Sequence, residues 1–202
     1  LMFNAVEKLR EVVPDVQLIA GNVATATATK ELCEAGVDAI KVGVGPGTIC
    51  ITRLVTGCGM PQLTAVMEAA KVAKRYGVPV IADGGIGKSG DIIKAIGAGA
   101  DCVMMGGMFA GTDESPGIVM TKGDKKFKVC RGSASFTQSH TRKRHGLEKK
   151  NLKEVVPEGV ESLVPYKGPV EDIIGQMVGG VKSGMSYTNS HTIAELQNNV
   201  EF

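Results

Sequence analysis

Tryptophan is absent, and only three Tyr and five Phe are present. The core must therefore rest on aliphatic side chains and close backbone contacts rather than on stacked rings. No apolar run approaches the roughly 18–20 residues that a membrane-spanning helix needs, so no membrane partner is expected. Neither sign of charge dominates: 23 Lys and Arg face 21 Asp and Glu, a net of +2. That balance offers no electrostatic reason to expect nucleic acid as a partner. The opening LMFNAVEKLREVVPD lacks the charged start and apolar middle of a signal peptide and reads as the middle of an amphipathic helix. No CxxC pair occurs among the five Cys, at positions 33, 50, 58, 102 and 130. An odd count at irregular spacing fits a reducing, cytoplasmic setting better than a disulfide framework. The three His stand far from any Cys at zinc-ligand spacing.

Glycine is the surplus, with 27 in 202 residues and no collagen period, which implies many tight turns and close backbone approaches. At 43% apolar and 22% charged, the chain is neither a disordered tail nor a coiled coil, and it can form one domain with a sizeable core. Residues 1–117 alternate. Helices are predicted at Asn4–Val12, Thr27–Glu34, Gln62–Tyr76 and Gly90–Ile96, and strands at Val16–Ala20, Ala39–Gly43, Val78–Ala82 and Asp101–Met105. Short apolar strands separated by helices imply a parallel βα architecture. A Gly or polar cluster follows each strand: Gly21-Asn22, Gly43–Gly47, Asp83–Gly85 and Gly106-Gly107. Chemistry in such folds gathers at the C-terminal strand ends, so this rim predicts a phosphate or nucleotide site. Four units close half of an eight-strand barrel and leave two bare edges, which is costly. The α/β chain is thus either an open sheet or the second half of a (β/α)8 TIM barrel, and its helical opening favours the half barrel.

The pattern breaks after Gly117. Lys122–Lys128 (KGDKKFK) reads as a polar hairpin. Residues 131–155 are basic and carry no apolar period; they are either a solvated linker or a mobile active-site flap. A helix is predicted over Val170–Lys182, followed by Ser183-Gly184-Met185-Ser186 and a last helix over His191–Asn198. The chain divides into 1–117 (the second barrel half), 118–161 (hairpin and flap) and 162–202 (C-terminal helices and tail of the same domain).

The stretch Gly43-Val-Gly-Pro-Gly-Thr-Ile-Cys-Ile-Thr52 is the most specific feature. Its glycines let backbone groups converge on an ion. Cys50 falls at a loop tip, flanked by the hydroxyls of Thr48 and Thr52, and not in a core period. A cysteine is usually a buried structural residue, but a thiolate in such a loop can attack an electrophilic ring carbon. Cys33, Cys58, Cys102 and Cys130 keep the structural reading. Asp83 ends an apolar strand before two Gly. It is either a helix cap or a carboxylate accepting from two ribose hydroxyls, with Gly84 and Gly85 admitting a phosphate. Gly106-Gly107 offers free amides to the same anion. Glu158, in Val156-Pro-Glu-Gly159, is locally an exposed turn residue.

At these residues the chain resembles the family of IMP dehydrogenase and GMP reductase. The resemblance rests on IAGNVAT, KVGVGPGTICIT, PQLTAV, PVIADGGI, GDIIKAIGAGA, VMMGGMFAGTDESPG, VPEGVE and VPYKG, in matching order. It implies a (β/α)8 barrel forming a homotetramer, with this chain as its last four βα units, flap and tail. It implies a purine mononucleotide, GMP or IMP, as substrate, and that Cys50 forms a thioimidate at purine carbon 2. The phosphate would sit at Gly85, Gly106 and Gly107, the ribose at Asp83, and the purine beside Gly132-Ser133-Ala134. Thr48, Gly84 and Gly159 complete the substrate set. A potassium ion would lie on the carbonyls of Gly45, Gly47 and Cys50. Ser183, Gly184, Met185 and Ser186 would approach a neighbouring subunit's cofactor, or form a plain helix C-cap.

The resemblance divides into two reactions. In the reductase, Thr52 and Glu158 pass a proton to departing ammonia and NADPH delivers hydride; in the dehydrogenase, IMP gives hydride to NAD and water follows. The dehydrogenase flap carries an Arg-Tyr pair, whereas residues 141–146 here read TRKRHG. Gly-Ser-Ala-Ser replaces the dehydrogenase's Gly-Met-Gly-Ser flap base, and the Cys-Ile-Thr variant, PQLTAVMEAA and GGMFAG are reductase-like. VPEGVE and the flap's length are dehydrogenase-like, Arg144 or His145 could serve as its base, and Cys130 replaces a Tyr that contacts phosphate. The closer resemblance is to GMP reductase; the alternatives are an IMP dehydrogenase or an inactive nucleotide-binding module.

Overall fold

The structure, a computed structural model, describes residues 2–145 and 156–202. Four parallel strands, β1 (Ile19–Val23), β2 (Ala39–Val42), β3 (Val80–Asp83) and β4 (Cys102–Met104), stand side by side in chain order. Helices α1 (Met2–Val12), α2 (Ala26–Glu34), α4 (Gln62–Tyr76) and α5 (Ser89–Gly97) alternate with them, and a short α3 (Thr52–Thr56) follows the Cys50 loop. Side chains alternate across a strand. Ile40, Val42, Val80 and Ala82 are buried with Leu32 of α2 and Ala65, Val66 and Ala69 of α4. Lys41, Ile81 and Asp83 take the other face and stay half-buried. Among the described residues β1 and β4 each pair on one side only.

The helix ends follow local chemistry. The Thr25 hydroxyl accepts from the Ala28 amide at 3.2 Å and starts α2. Gly77, at φ +66°, closes α4 behind Lys74 and Arg75, which suit a helix C-terminus. Two strands start later than their apolar runs. At β1 the Arg10 guanidinium takes the carbonyls of Pro14 and Val16, and the Leu18 amide goes to Asp38. The predicted Val16–Ala20 strand therefore shifts to Ile19–Val23 and runs through Gly21 and Asn22. At β3 the Val78 amide closes α4 on the Ala73 carbonyl, and Pro79 has no N–H to donate.

A second sheet is antiparallel: β5 (Val119–Lys122), β6 (Lys125–Arg131) and β7 (Glu161–Pro165). The first two form the expected hairpin, turning at Gly123 with φ +60°. The third was not expected, and it carries this sheet into the region read as C-terminal helices. The segment read as linker or flap contains a helix, α6 (Phe136–Arg144). Only Ser139 of α6 is buried, so no apolar period marked it. Its signals were the Ser135 cap, accepting from Gln138 at 3.4 Å, and Arg142, Lys143 and Arg144 in the last turn. Residues 146–155 of the expected flap lie outside the described residues. Helix α7 (Val170–Tyr187) overruns its predicted end and takes in Ser183–Ser186, and α8 (Ile193–Asn199) follows a Thr192–Glu195 capping box.

Asp91 anchors the loop from Asp83 to α5. Its Oδ2 accepts from the Gly87 and Lys88 amides, both at 3.1 Å, and Lys94 lies 2.8 Å from Oδ1. The Lys94 ammonium, then the two amides, hold its carboxyl below the ordinary value of 3.8, against a partial desolvation. A depressed carboxyl stabilises the fold above its unfolded pKa, and that contribution is lost as pH falls through the folded value. Asp91→Asn should cost about 1 kcal/mol at pH 7. In urea unfolding the difference from the unsubstituted protein should shrink as pH drops below about 4.

Candidate active site at the strand ends

Cys50 is half-buried, in the loop between β2 and α3. Its Sγ donates to Thr52 Oγ1 at 3.2 Å, and Thr52 Oγ1 donates to Glu158 Oε2 at 2.7 Å. Thiol, hydroxyl and carboxylate therefore stand in one line. The backbone fixes it. The Ile51 amide donates to the Glu158 carbonyl at 2.8 Å, and the Val160 amide to the Ile49 carbonyl at 3.1 Å. On its other side this strap meets the segment before α6, where the Glu158 amide donates to the Ala134 carbonyl at 3.1 Å. Gly159 bridges both Cys50 and Ser135. A Cβ at Gly159 would lie 3.1 Å from the Ser135 nitrogen, so a larger residue would prise the layers apart.

Asp83 ends β3 facing the same cleft. Lys41 Nζ and Asn22 Nδ2, the latter at 3.0 Å, both bind its Oδ2. Asn22 also donates to the Gly43 carbonyl at 2.7 Å. The other carboxylate oxygen accepts nothing from the described residues and is free for an incoming donor. Asp83 is thus no helix cap; Asp91 does that work for α5. The sequence reading missed Lys41 and Asn22 as its partners. The signal for Lys41 was a lone charge inside the apolar strand Ala39–Val42. The glycines after β2 and β3 are backbone requirements: Gly43 has φ +143° and a Cβ there would strike the Asp83 carbonyl, and Gly84 has φ +86°.

One cleft of about 390 Å³ is lined by Asn22, Lys41, Asp83, Cys50, Glu158 and Gly159. Gly45, Gly47, Gly84, Gly132, Ser133 and Ala134 line it too. The other expected residues stand around it. Thr48 is exposed and abuts Gly107, where a Cβ would lie 2.8 Å from the Thr48 Oγ1. Gly106 opens into a neighbouring cavity of about 740 Å³ that is also lined by Cys130. Gly85 packs on Pro46 and Gln62. Gly45, Gly47 and Cys50 share one turn, closed by the Cys50 amide on the Gly47 carbonyl at 3.1 Å. Backbone carbonyls are the donors an alkali cation takes, although Arg53 packs against Gly45 from behind.

Ser183–Ser186 does not reach the cleft. It is the last turn of α7, not a cap after it, and Gly184 is the point where α7 rests on Ile93 of α5; a Cβ there would lie 2.8 Å from Ile93 Cγ1. Met185 packs on the core. Of the remaining cysteines, Cys33 is buried, and burial pushes its thiol above the ordinary value of 9.0. Cys58 and Cys102 are exposed.

Four parallel βα units with a thiol, a hydroxyl and two carboxylates at their C-terminal ends define an α/β protein with a candidate site at those strand ends. The chain belongs to the IMP dehydrogenase / GMP reductase domain family, whose model matches residues 1–202. It is 54% identical to the inosine-5'-monophosphate dehydrogenase of Nitrosopumilus maritimus, over 98% of this chain and 43% of that protein. It is 53% identical to the GMP reductase of Leishmania donovani, over 96% of this chain and 40% of that protein. The crystal structure of a GMP reductase variant from Trypanosoma brucei, in complex with guanosine 5'-monophosphate, superposes with a TM-score of 0.92 at 50% identity, over 98% of this chain and 41% of that one. The chain therefore spans about two-fifths of the length of these relatives. Among its described residues, no helix is long and apolar enough to cross a membrane.

The Lys41–Asp83 pair is 29% and 22% exposed, between the surface and the buried regimes of ion pairs. A double-mutant cycle of Lys41→Met and Asp83→Asn, read by urea unfolding, should return a coupling of about 1 kcal/mol. A coupling of zero would mean that the pair holds no fixed geometry.

Proposed function

We propose that this chain carries the nucleotide and thiol chemistry of a GMP reductase. The observation that supports this reading best is the line Cys50–Thr52–Glu158. Reductive deamination needs a nucleophile at purine carbon 2 and a proton for the amine that leaves. In the proposed course Cys50 Sγ bonds to carbon 2 and gives its proton to Thr52, which is already linked to Glu158. The bond from carbon 2 to the exocyclic nitrogen breaks, and the relay returns that proton to nitrogen. Ammonia departs and a thioimidate remains, so protons balance without a further acid. Replacing sulfur by hydrogen to give IMP takes a hydride, which is the chemistry NADPH supplies when bound.

Asp83 would accept from the ribose hydroxyls through its free oxygen, while Lys41 and Asn22 hold the other. Gly132, Ser133, Ala134 and Gly159 would border the purine, and Thr48, Gly84, Gly85, Gly106 and Gly107 the phosphate. The carbonyls of Gly45, Gly47 and Cys50 would hold a potassium ion. Ser183, Gly184, Met185 and Ser186 do not fit a nicotinamide at Cys50 of the same chain. A cofactor role for them requires the cleft of a neighbouring subunit, consistent with a homotetramer.

A second reading, an IMP dehydrogenase using NAD, is favoured by the similarity to the Nitrosopumilus maritimus protein. Both reactions use Cys50; they differ in what leaves carbon 2. The Thr52–Glu158 relay suits a leaving amine, and residues 131–145 hold no Arg-Tyr pair to activate water.

The deciding experiment is a paired assay on the complete protein: GMP with NADPH, followed by loss of absorbance, against IMP with NAD. The reductase reading expects turnover in the first; turnover only in the second overturns it. Cys50→Ala should abolish turnover while GMP binding by calorimetry persists, and retained turnover would end the covalent mechanism. Glu158→Gln should lower kcat about a hundredfold or more, the typical weight of a proton-transfer group. It should leave GMP affinity within about twofold, because its role is confined to the leaving step.

A further inference from the structure

Gln62 is the first residue of α4, directly behind Pro61, and lies beneath the site rather than in it. Its Nε2 donates to the Val42 carbonyl at 2.9 Å and to the Asp83 carbonyl at 3.2 Å. Those carbonyls belong to the C-terminal ends of β2 and β3, where the paired register stops at Val42 with Ala82. Both amide protons are thereby spent. Its Oε1 is buried and has no partner among the described residues. Turning the amide over would set that oxygen against two carbonyls, so the orientation is forced. The side chain also supports the two loops above it. A Cβ on Gly43 would lie 3.0 Å from both terminal atoms of Gln62, and one on Gly85 would lie 3.7 Å from its Cβ and Cγ.

We infer that Gln62 is a positioning residue whose amide clamps the ends of β2 and β3 together and so sets the Cys50 loop relative to the Asp83 carboxylate. This rests on reading Cys50 as the nucleophile and Asp83 as the ribose ligand. A side chain that touches neither substrate nor sulfur then governs both.

The test uses Gln62→Met, which keeps the length and removes both donors. Iodoacetamide labelling of Cys50 is measured against exposed Cys58 of the same chain by mass spectrometry, and GMP affinity by calorimetry. The expected result is a change of about threefold or more in the Cys50 to Cys58 ratio and about tenfold weaker GMP binding, as for loss of one or two hydrogen bonds. Gln62→Glu supplies a readout that a structural role alone would not move. A protonated carboxyl donates to one carbonyl; an ionised one confronts both. GMP affinity of this variant, relative to the unsubstituted protein at the same pH, should therefore fall as pH rises from about 5 to 8. Wild-type labelling and affinity in both variants overturn the inference. So does a loss of binding that only tracks unfolding, with no pH dependence in Gln62→Glu. If GMP fails to bind the unsubstituted protein or to slow Cys50 labelling, the functional reading falls first, and the inference with it.

Discussion

The hydrogen bond from Thr52 to Glu158 joins residues 106 positions apart, and the candidate chemistry depends on it. Two side chains held only by each other would lose that geometry to rotamer entropy. Here the backbone carries the cost. The Glu158 strap pairs with the Cys50 loop on one side and with the Ala134–Ser135 turn on the other. It can do so because Gly159 has no side chain where three layers of backbone meet. Once the strap is seated, the Glu158 carboxylate has few places to go except the Thr52 hydroxyl.

The electrostatics of the rim follow from the sheet. In a strand of period two, Lys41 must face away from buried Ile40 and Val42, and register puts it beside Gly21 on one side and Ile81 on the other. Its ammonium therefore meets the carboxylate that ends the next strand. A half-buried carboxylate with one oxygen bound and one open is suited to accept an incoming donor through the open oxygen, because its orientation is settled before the ligand arrives. Asn22 adds to this by tying the same oxygen to the Gly43 carbonyl. The carboxylate and the cysteine loop thus share a fixed frame.

Most of the fold was legible in the sequence, for a physical reason. In the first 117 residues each element has an apolar period or a glycine stop, and the helix α4 was read to the residue. Most of what was missed lacked those signals; the short α3, which buries no residue, was also missed although Gly57 stops it. Helix α6 buries a single serine, and β7 forms only because the hairpin offers it an edge. The start of β1 was displaced by Arg10, whose bonds to Pro14 and Val16 no period reveals. In the site, Cys50 at its loop tip and Asp83 at its strand end were singled out by residue type and place, whereas the roles expected of Thr52 and Glu158 came only from the family resemblance. Lys41 and Gln62 were not, because their roles arise only when separate strands lie side by side.

The division of labour between backbone and side chains bears on how one scaffold can host two reactions. The proposed nucleophile Cys50, the Asp83 carboxylate and the glycine turns sit on the parallel sheet and its loops, held by register and by glycine conformations that tolerate little change. In the proposed reading the relay to the leaving group spans both parts: Thr52 begins α3 after the Cys50 loop, while Glu158 comes from the strap that lies beside the segment before α6. These are joined to the sheet by a handful of backbone hydrogen bonds and bury little apolar surface. In that reading, substitutions of exposed side chains there, unlike one at Gly159, would cost little stability, since no core is disturbed, yet would change which proton donor or water faces the purine. Relatives bearing either reaction's name share about half their residues with this chain.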